Sequence, residues 1–307
     1  MRTVSVMFPA APTRPVLPGD TVAVVSPASW DEASRVDQLL DLLRCWGLAV
    51  RVGRHAMDRC GYMAGADEDR LADLNDAVRN PKVRAIITTR GGCGSFRLAQ
   101  GLDVDALRRD PKPLVGFSDI TALHQVWHAV GVPSLHGAPS SGQHAEDVRV
   151  QLMCPEPVEV HPEPGSLTHG LTTTGTARGP VFGGHLEMLS RMVGVVDLDL
   201  HGHILLLEAT RTVGLGMVDR AMSQLLLSGS LDGLAGLALG RFEGFAGYED
   251  RGWTVLDVLR DYRDRLGVPT LGGLPIGHGQ DARTIPLGVM CTLDADRGTL
   301  VVDPAVG

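Results

Sequence analysis

The first half of the chain alternates short apolar segments with segments of helical periodicity, and this pattern restricts the fold more than any other feature. Residues 20–29, 48–53, 83–90 and 112–118 each contain a short apolar run that predicts a buried strand. The intervening segments carry apolar residues at helical spacing and close with Gly or Asn-Pro. Strands joined by helices form a parallel sheet that is covered on both faces. We therefore predict an α/β fold for this half.

The composition changes in the middle of the chain. Residues 146–178 are rich in Pro, Gly, Thr and Glu, which predicts a linker with edge strands. We accordingly predict an N-terminal domain at residues 1–145 and a C-terminal domain at residues 179–307. The C-terminal domain ends in a segment, residues 284–303, that predicts a closing β-hairpin with an Asp-Arg-Gly turn.

Bulk composition excludes several functional classes. The 307 residues are 44% hydrophobic and 21% charged, as in a globular protein with an ample core. A formal net charge of −8 without a basic stripe argues against a nucleic-acid partner. The apolar runs are too short to span a membrane, and prolines interrupt the N-terminus where a secretory signal would need an apolar core, so we expect a cytoplasmic protein. Five scattered cysteines without a CxxC pair suggest neither disulfides nor zinc.

Ser118 follows the fourth predicted strand, in the segment Leu114–His124 that reads LVGFSDITALH. A serine at a strand-to-helix junction lies near backbone N–H groups that favour negative charge, so it could act as a nucleophile. Serine is also a favoured helix N-cap, and Asp119 could fill that role equally well. This segment alone leaves both interpretations open.

The loop at residues 90–95, RGGCGS, follows the third predicted strand. Its three glycines allow backbone N–H groups to converge on an anion, as in an oxyanion hole or a phosphate site. The Lys-Ser/Thr of a Walker loop is missing, and Gly92-x-Gly94 lacks the third glycine of a dinucleotide fingerprint because Arg97 stands there. A tight turn is the remaining alternative.

Two further side chains suggest acid–base chemistry. Glu208 ends an apolar strand, where a carboxylate must be paired and could orient a histidine. His278 lies between two glycines, and a loop imidazole of this kind suits a general base. An exposed strand-end glutamate and an ordinary loop histidine are the alternatives.

The other histidines do not predict a metal site. His124 and His128 have the spacing of zinc ligands on a helix, but a zincin needs Glu after the first His, and Gln125 stands there. His201 and His203 flank a glycine in a predicted strand-edge turn that lacks the residue cluster of a metal site, and we interpret both as surface residues. We expect no metal and no cofactor.

Taken together, these segments resemble the LD-carboxypeptidase family of serine peptidases, which includes the microcin C immunity peptidases. The likeness covers most of the chain and is carried by ordered blocks. They are LPGDTVAVVSPAS, the long block from GYMAGADEDR to RGGCGSFRL, PKPLVGFSDITALH, GGHLEML, LLLEA, VDRAMSQL and GLPIGHG followed by TIPLG. The resemblance implies a flavodoxin-like, parallel-sheet N-terminal domain and a mainly β C-terminal domain carrying helices, with the active site between them. It also implies a homodimer.

The resemblance assigns a Ser-Glu-His triad to Ser118, Glu208 and His278 by motif position. It assigns the oxyanion hole to the backbone N–H groups of Gly92 and Asp119. The implied reaction is the cleavage of an amide bond next to a free carboxylate in a small peptide, for which the terminal D-alanine of a murein tetrapeptide is the type substrate.

The sequence departs from the family pattern at three positions beside the triad. Two of them, Cys93 and His185, are expected to contact the substrate, as is Gly91. Cys93 stands where the glycine-rich loop usually carries an aromatic residue, and His185 stands where the family has Asn. Ala209 follows Glu208, where the family usually continues with acidic residues. These departures keep open a second function, hydrolysis or acyl transfer on a peptide-like or peptidyl-nucleotide natural product.

Two other classes stay open at this stage. An esterase of the α/β-hydrolase fold shares the chain order Ser, acid, His, but it expects Gly-x-Ser-x-Gly, and Ile120 occupies the final glycine position. A non-catalytic binding protein that retained the cleft would need no triad.

Overall fold

Strands and helices alternate through the first half of the chain, as the sequence predicts. The structure is a computed structural model, and it describes residues 9–139 and 142–307. In chain order the elements of this half are β1 (Thr21–Val25), α1 (Ala33–Cys45), β2 (Ala49–Val52), α2 (Asp67–Arg79), β3 (Val83–Thr88), α3 (Val104–Arg109), β4 (Leu114–Gly116), α4 (Thr121–Ala129) and β5 (Ser134–His136). Two 3₁₀ helices, Ser95–Gly101 and Ser118–Ile120, form where the sequence predicts the starts of α-helices.

The second half contains more strand. Its elements are α5 (Gly142–Met153), β6 (Val158–Val160), β7 (Thr176–His185), α6 (Leu186–Arg191), β8 (Ile204–Thr210), α7 (Leu215–Leu227), β9 (Gly236–Glu243), β10 (Glu249–Asp250), β11 (Trp253–Thr254), α8 (Val255–Leu266), β12 (Thr270–Leu271), β13 (Ile285–Leu287), β14 (Met290–Asp294) and β15 (Thr299–Val302). A third 3₁₀ helix spans Leu167–Leu171. Helix α5 overlaps the start of the predicted linker at residues 146–178, and strand β6 lies within it. The limits of the linker and of the two domains remain predictions.

The first sheet has six strands in the order β13-β5-β4-β3-β1-β2. Strands β1 to β5 are parallel, and their order 2-1-3-4-5 is that of flavodoxin-like sheets, which confirms the fold predicted for this half. Helix α1, after β1, packs in the apolar cluster on one face, and α3, after β3, packs in the cluster on the other face. Such a switch point between neighbouring strands is where these sheets bind ligands. The loops after β1 and β3 are therefore placed beside each other, with the loop after β4 next in line.

The second sheet has seven strands in the order β12-β9-β8-β7-β14-β15-β6 and joins parallel strands to an antiparallel part. The closing hairpin is confirmed for β14 and β15, with the Arg297 N–H donating to Asp294 Oδ1 at 2.9 Å in the turn. The prediction is wrong for its first residues, since β13 leaves the hairpin and pairs antiparallel with β5 in the first sheet. Strand β13 thereby connects the two halves.

Buried apolar side chains form three clusters, one within the second half and one on each face of the first sheet. Strand β8 is buried along nearly its whole length, so Glu208 enters the protein interior on an otherwise apolar strand. Across residues 9–139 and 142–307, no helix has both the length and the apolar character that crossing a bilayer requires.

Candidate active site

Ser118 follows β4 in an unusual backbone conformation. Its φ is +62°, and only two other non-glycine residues in the described part of the chain, Arg251 and Asp281, share the left-handed region. This conformation costs a residue with a Cβ about 1–2 kcal/mol. Strain of this kind at the carboxyl end of a parallel strand presents a side chain at the top of a sheet, where ligands bind. The N-cap alternative loses support, because the residues at the N-cap positions of this 3₁₀ helix and of α4 are Phe117 and Ile120, not Ser118 or Asp119.

The glycine-rich loop is held by Ser29, which follows β1. Ser29 Oγ accepts from the N–H of Cys93 at 3.1 Å, and the Ser29 N–H donates to the carbonyl of Gly91 at 3.3 Å. Gly92 has φ +109°, and a Cβ there would lie 2.4 Å from Ser29 Oγ. The loop therefore needs glycine at this position both for its backbone conformation and for its contact with Ser29.

Asp119 connects the loop after β4 to the glycine-rich loop. Its buried carboxylate accepts from the N–H of Ser95 at 2.9 Å, and Ser95 Oγ donates to the carbonyl of Asp119 at 2.6 Å. Burial raises the pKa of Asp119, and the bonds from Ser95 oppose part of that rise. A Cβ on Gly91 would lie 3.0 Å from Ser118 Cβ and 3.3 Å from the Asp119 nitrogen, so the two loops are in direct contact.

Glu208 and His278 form a hydrogen-bonded pair 70 residues apart in the sequence. His278 Nδ1 lies 2.8 Å from Oε2 of Glu208, whose side chain is fully buried. Burial alone would raise the pKa of Glu208, but the bond from His278 and the imidazoles of His185 and His136 outweigh it, so this pKa is lowered. Burial likewise opposes protonation of His278, but the bond to Glu208 raises the pKa of His278 above its ordinary value of 6.5. The carboxylate therefore stays charged and favours proton uptake by the imidazole.

Gly277 makes this pairing possible. Its φ is +105°, and a Cβ there would lie 2.6 Å from both Cβ and Oε2 of Glu208. Any side chain at this position would separate His278 from its carboxylate. Gly277, one of the two glycines that flank His278 in the sequence, is therefore required by close packing.

Ser118 and His278 line one cleft of about 630 Å³, together with Gly91 and Gly92. The ring of Phe117, which precedes Ser118, lies 5.1 Å from the His278 ring between centroids. The charged side chains of this cleft are Asp31, Arg35 and Arg90. The cleft thus places a strained serine, a glycine-rich loop and a carboxylate-paired imidazole on one surface.

The other predicted contact residues lie at different depths. Cys93 is exposed, and its backbone rather than its thiol is engaged by Ser29. His185 is buried at the end of β7, directly beside Glu208 in the sheet register, with its ring 5.6 Å from that of His278. Its Nε2 accepts from the Thr210 N–H at 3.4 Å.

Two residues near the site were not singled out from the sequence. Ser29 holds the glycine-rich loop, and its signal was the polar SPAS segment at the end of β1. His136 ends β5 and faces Glu208, with Nε2 3.8 Å from Oε1. Its signal was a polar residue at the carboxyl end of another parallel strand, the same argument that identified Ser118.

Of the four histidines that the sequence does not place in a metal site, His201 is exposed, as predicted, and the other three are buried. His124 is buried and its Nε2 lies 2.9 Å from the Gly116 carbonyl; its pKa is lowered to about 3, mainly by burial. The His128 ring stacks on Phe182 with 4.0 Å between centroids. The surface interpretation of His203 is wrong, since it is 4% exposed and packs with its ring 5.1 Å from that of His128.

Two groups in the described residues offer three possible metal-ligand atoms within 4.8 Å of one another. One consists of His185, Glu208 and His278, and the other of the more exposed His55, Asp58 and Asp69. In the first group the Glu208–His278 hydrogen bond already joins two of the three side chains. A metal ion there would compete with that bond.

Comparison with known proteins identifies relatives along nearly the whole chain. Residues 22–137 match the LD-carboxypeptidase N-terminal domain and residues 178–293 match the LD-carboxypeptidase C-terminal domain. A Streptomyces coelicolor protein named as a carboxypeptidase is 39% identical over 302 residues, which is 93% of this chain and 94% of that protein. A probable murein peptide carboxypeptidase of Bacillus subtilis is 31% identical, covering 94% and 93%. The crystal structure of the muramoyltetrapeptide carboxypeptidase from Oxalobacter formigenes superposes with a TM-score of 0.79 at 26% identity, covering 92% of this chain and 98% of that one.

Proposed function

The chain belongs to the LD-carboxypeptidase family of serine carboxypeptidases, and we propose that it uses Ser118, Glu208 and His278 to release the terminal D-alanine of a murein tetrapeptide. The observation that carries the proposal is the hydrogen bond between buried Glu208 and His278, beside a cleft that His278 shares with the strained Ser118. A serine hydroxyl is a weak nucleophile without an adjacent base, and an imidazole held by a carboxylate is such a base.

In the proposed mechanism His278 Nε2 takes the proton from Ser118 Oγ as the oxygen attacks the carbonyl carbon of the scissile amide. The charge of Glu208 stabilises the imidazolium that forms, and the bond to Nδ1 fixes the tautomer that leaves Nε2 free to accept. His278 then gives the proton to the leaving amine, which departs as free D-alanine. Water, activated by the same imidazole, hydrolyses the acyl-enzyme and restores Ser118.

The backbone N–H groups of Gly92 and Asp119 are the proposed oxyanion hole. Support comes from the contact of the two loops, since the Gly91 Cβ position lies 3.3 Å from the Asp119 nitrogen. Ser29 and Ser95 hold the two loops through hydrogen bonds. The N–H groups of Gly92 and Asp119 therefore need little reorganisation as charge develops on the substrate oxygen.

The charges of the cleft support an exopeptidase that recognises a free carboxylate. Arg35 and Arg90 lie 3.7 and 3.9 Å from the same oxygen of Asp31, so two guanidinium groups share one carboxylate and the wall keeps a positive charge. Guanidinium is the side-chain group best suited to bind a carboxylate. Before substrate binds, the carboxylate of Asp31 attracts both guanidinium groups and keeps the two arginines directed at the cleft.

The test is mass spectrometry of the protein incubated with L-Ala-γ-D-Glu-meso-diaminopimelate-D-Ala, with the C-terminal amide of that peptide and with a Ser118→Ala control. We expect only the acid form to be cleaved, with release of D-alanine, and only by the wild-type protein; cleavage of the amide form would release D-alaninamide. Cleavage of the amide at an equal rate would refute recognition of the free carboxylate. No cleavage of either peptide would refute the murein assignment.

The second candidate is a hydrolase or acyltransferase that acts on a peptide-like or peptidyl-nucleotide natural product. It is favoured by His185, whose ring lies 5.6 Å from that of His278 at a position where the sequence departs from the family pattern. Turnover of a peptidyl-nucleotide in the same assay, without turnover of the tetrapeptide, would select it. Labelling of Ser118 by a fluorophosphonate probe distinguishes both enzymes from a non-catalytic binding protein.

The proposal also includes the cytoplasmic location and the homodimer that the family resemblance implies. Light scattering of the purified protein tests for the homodimer, and a mass of 32.6 kDa in solution, which is that of one chain, would contradict it.

A further inference from the structure

Glu208 is held from one side only. Its Oε2 accepts from His278, but its Oε1 is fully buried and has no hydrogen-bond partner among the described residues. A buried carboxylate oxygen without a donor is costly, because the oxygen loses its water and gains nothing in return. The catalytic carboxylate of the proposed triad therefore has room for one more donor.

The group that faces this oxygen is the imidazole of His136. Its Nε2 lies 3.8 Å from Oε1, the side chain is 1% exposed, and neither ring nitrogen has a hydrogen-bond partner in the described part of the chain. Two unsatisfied polar atoms thus face each other in the interior. A bridging water would form a hydrogen bond of about 2.9 Å to each of the two atoms, and at an ordinary angle between those bonds the atoms would lie farther apart than they do. The gap is therefore too narrow for a bridging water.

We propose that His136 is a positioning residue that donates from Nε2–H to Glu208 Oε1, an inference that rests on the triad of the proposed function. Closing the gap to hydrogen-bond length takes a movement of about 1 Å. Glu208 is then fixed by two imidazoles, by His278 on one oxygen and His136 on the other, and cannot rotate away from the base.

The surroundings orient the His136 ring. The rings of Phe117 and His124 meet it edge-on, at centroid distances of 6.5 and 6.0 Å. Gly184 at the end of β7 leaves the space that the ring fills, since a Cβ there would lie 3.1 Å from Cε1 and Nδ1 of His136. The ring is therefore aimed at Glu208 by packing on three sides.

His136 acts as a neutral donor. Burial lowers its pKa to about 4, an effect that the charge of Glu208 only partly offsets. The titratable groups that face Glu208 are His278, His185 and His136, and Glu243 adds a negative charge near His278. A neutral donor stabilises the carboxylate without cancelling the charge that His278 needs.

The contact also connects the two sheets. His136 belongs to β5 of the sheet that carries Ser118, whereas Glu208 belongs to β8 of the other sheet. The nucleophile half of the molecule thus supplies a donor to the acid–base half. Through it, correct packing of the two sheets is coupled to the orientation of the triad.

The experiment compares His136→Phe, which keeps the ring and removes the donor, with His136→Gln, which keeps a donor of similar reach. We expect His136→Phe to lower kcat on the murein tetrapeptide about tenfold with KM unchanged, as loss of one hydrogen bond to a charged group implies. The acid limb of its pH profile moves to higher pH, because Glu208 without this donor attracts the proton of His278 more strongly. His136→Gln restores part of kcat and the wild-type limb.

The rate of fluorophosphonate labelling of Ser118 against pH gives a second readout that needs no substrate assignment. If the probe labels Ser118 in the wild-type protein and in His136→Phe at the same rate and with the same acid limb of the pH profile, the inference is wrong and the proposed triad stands. If His136→Phe lowers only the melting temperature, the role is structural and the inference is again wrong. If the wild-type protein neither labels nor cleaves, the proposed function itself fails.

Discussion

The two parts of the site are held by different kinds of interaction. In the nucleophile region, defined as Ser29, residues 91–95, Ser118 and Asp119, loops that follow neighbouring strands of one sheet exchange hydrogen bonds that involve their backbones. In the acid–base region, defined as His136, residues 184–185, Glu208 and residues 277–278, side chains from both sheets pack in the interior around a single charge.

The difference predicts how each region tolerates change. A loop held by several backbone bonds loses only a part of its support when one side chain is shortened, since the remaining bonds persist. A buried charge is not supported by several independent bonds in this way, because removing one partner leaves the other uncompensated in a medium of low dielectric constant. Substitutions of similar size should therefore cost more activity in the acid–base region.

The largest effect is expected from Glu208→Gln. The amide keeps the size of the side chain but removes the charge that stabilises the imidazolium, so kcat should fall by about 10³–10⁴. The pKa of His278, which the bond to Glu208 raises above 6.5, should also fall. Since the reaction needs neutral His278, the acid limb of the pH–rate profile moves to lower pH, the direction opposite to that expected for His136→Phe.

Glu243→Gln is the matched control for this variant. Glu243 is exposed and raises the pKa of His278 only through its charge. It should shift the limb slightly and leave kcat within about twofold, because an exposed charge acts through solvent. Equal losses in both variants would show that general charge, and not the buried hydrogen bond, supports the base.

A smaller loss is expected from Gly277→Ala. The added methyl group would lie 2.6 Å from Glu208, so it displaces the carboxylate or the histidine loop, and kcat should fall by about 10² because the reacting groups are misplaced. Gly19→Ala is the control, since Gly19 also has a positive φ of +92° but no atom within 4 Å of its Cβ position. Both variants lose about 1 kcal/mol of stability to backbone strain. Similar kcat values for the two would contradict the packing argument.

The same contrast explains what the sequence could and could not predict. The parallel sheet, the loop at residues 90–95 and the position of Ser118 follow from local patterns, since strand order places the ends of β1, β3 and β4 together. The 2.8 Å contact of Glu208 with His278 spans 70 residues and depends on Gly277, and no periodicity encodes it. From the sequence, that pair was predicted by the resemblance to the family and not by any local pattern of residues.

Two errors have the same origin. Residues Ile285–Leu287 were predicted to join the closing hairpin because they are apolar and adjacent to it, yet they pair with β5 across the molecule. His203 was predicted to lie at the surface, although it is buried close to His128. In both cases a long-range contact overrides what the neighbouring residues indicate.

The smallest effect is expected from Ser29→Ala, which tests the tolerance of the nucleophile region directly. The variant removes the hydroxyl that accepts from the Cys93 N–H, but the bond from the Ser29 N–H to Gly91 and the bonds between Ser95 and Asp119 remain. We expect kcat to fall by about three- to tenfold and the free energy of unfolding by about 1 kcal/mol, the contribution of one hydrogen bond. Ser34→Ala in the exposed first turn of α1 should change neither. A loss in Ser29→Ala as large as that in Glu208→Gln would refute the contrast, because it would show that the loop depends on one side chain as fully as the buried charge depends on its partners.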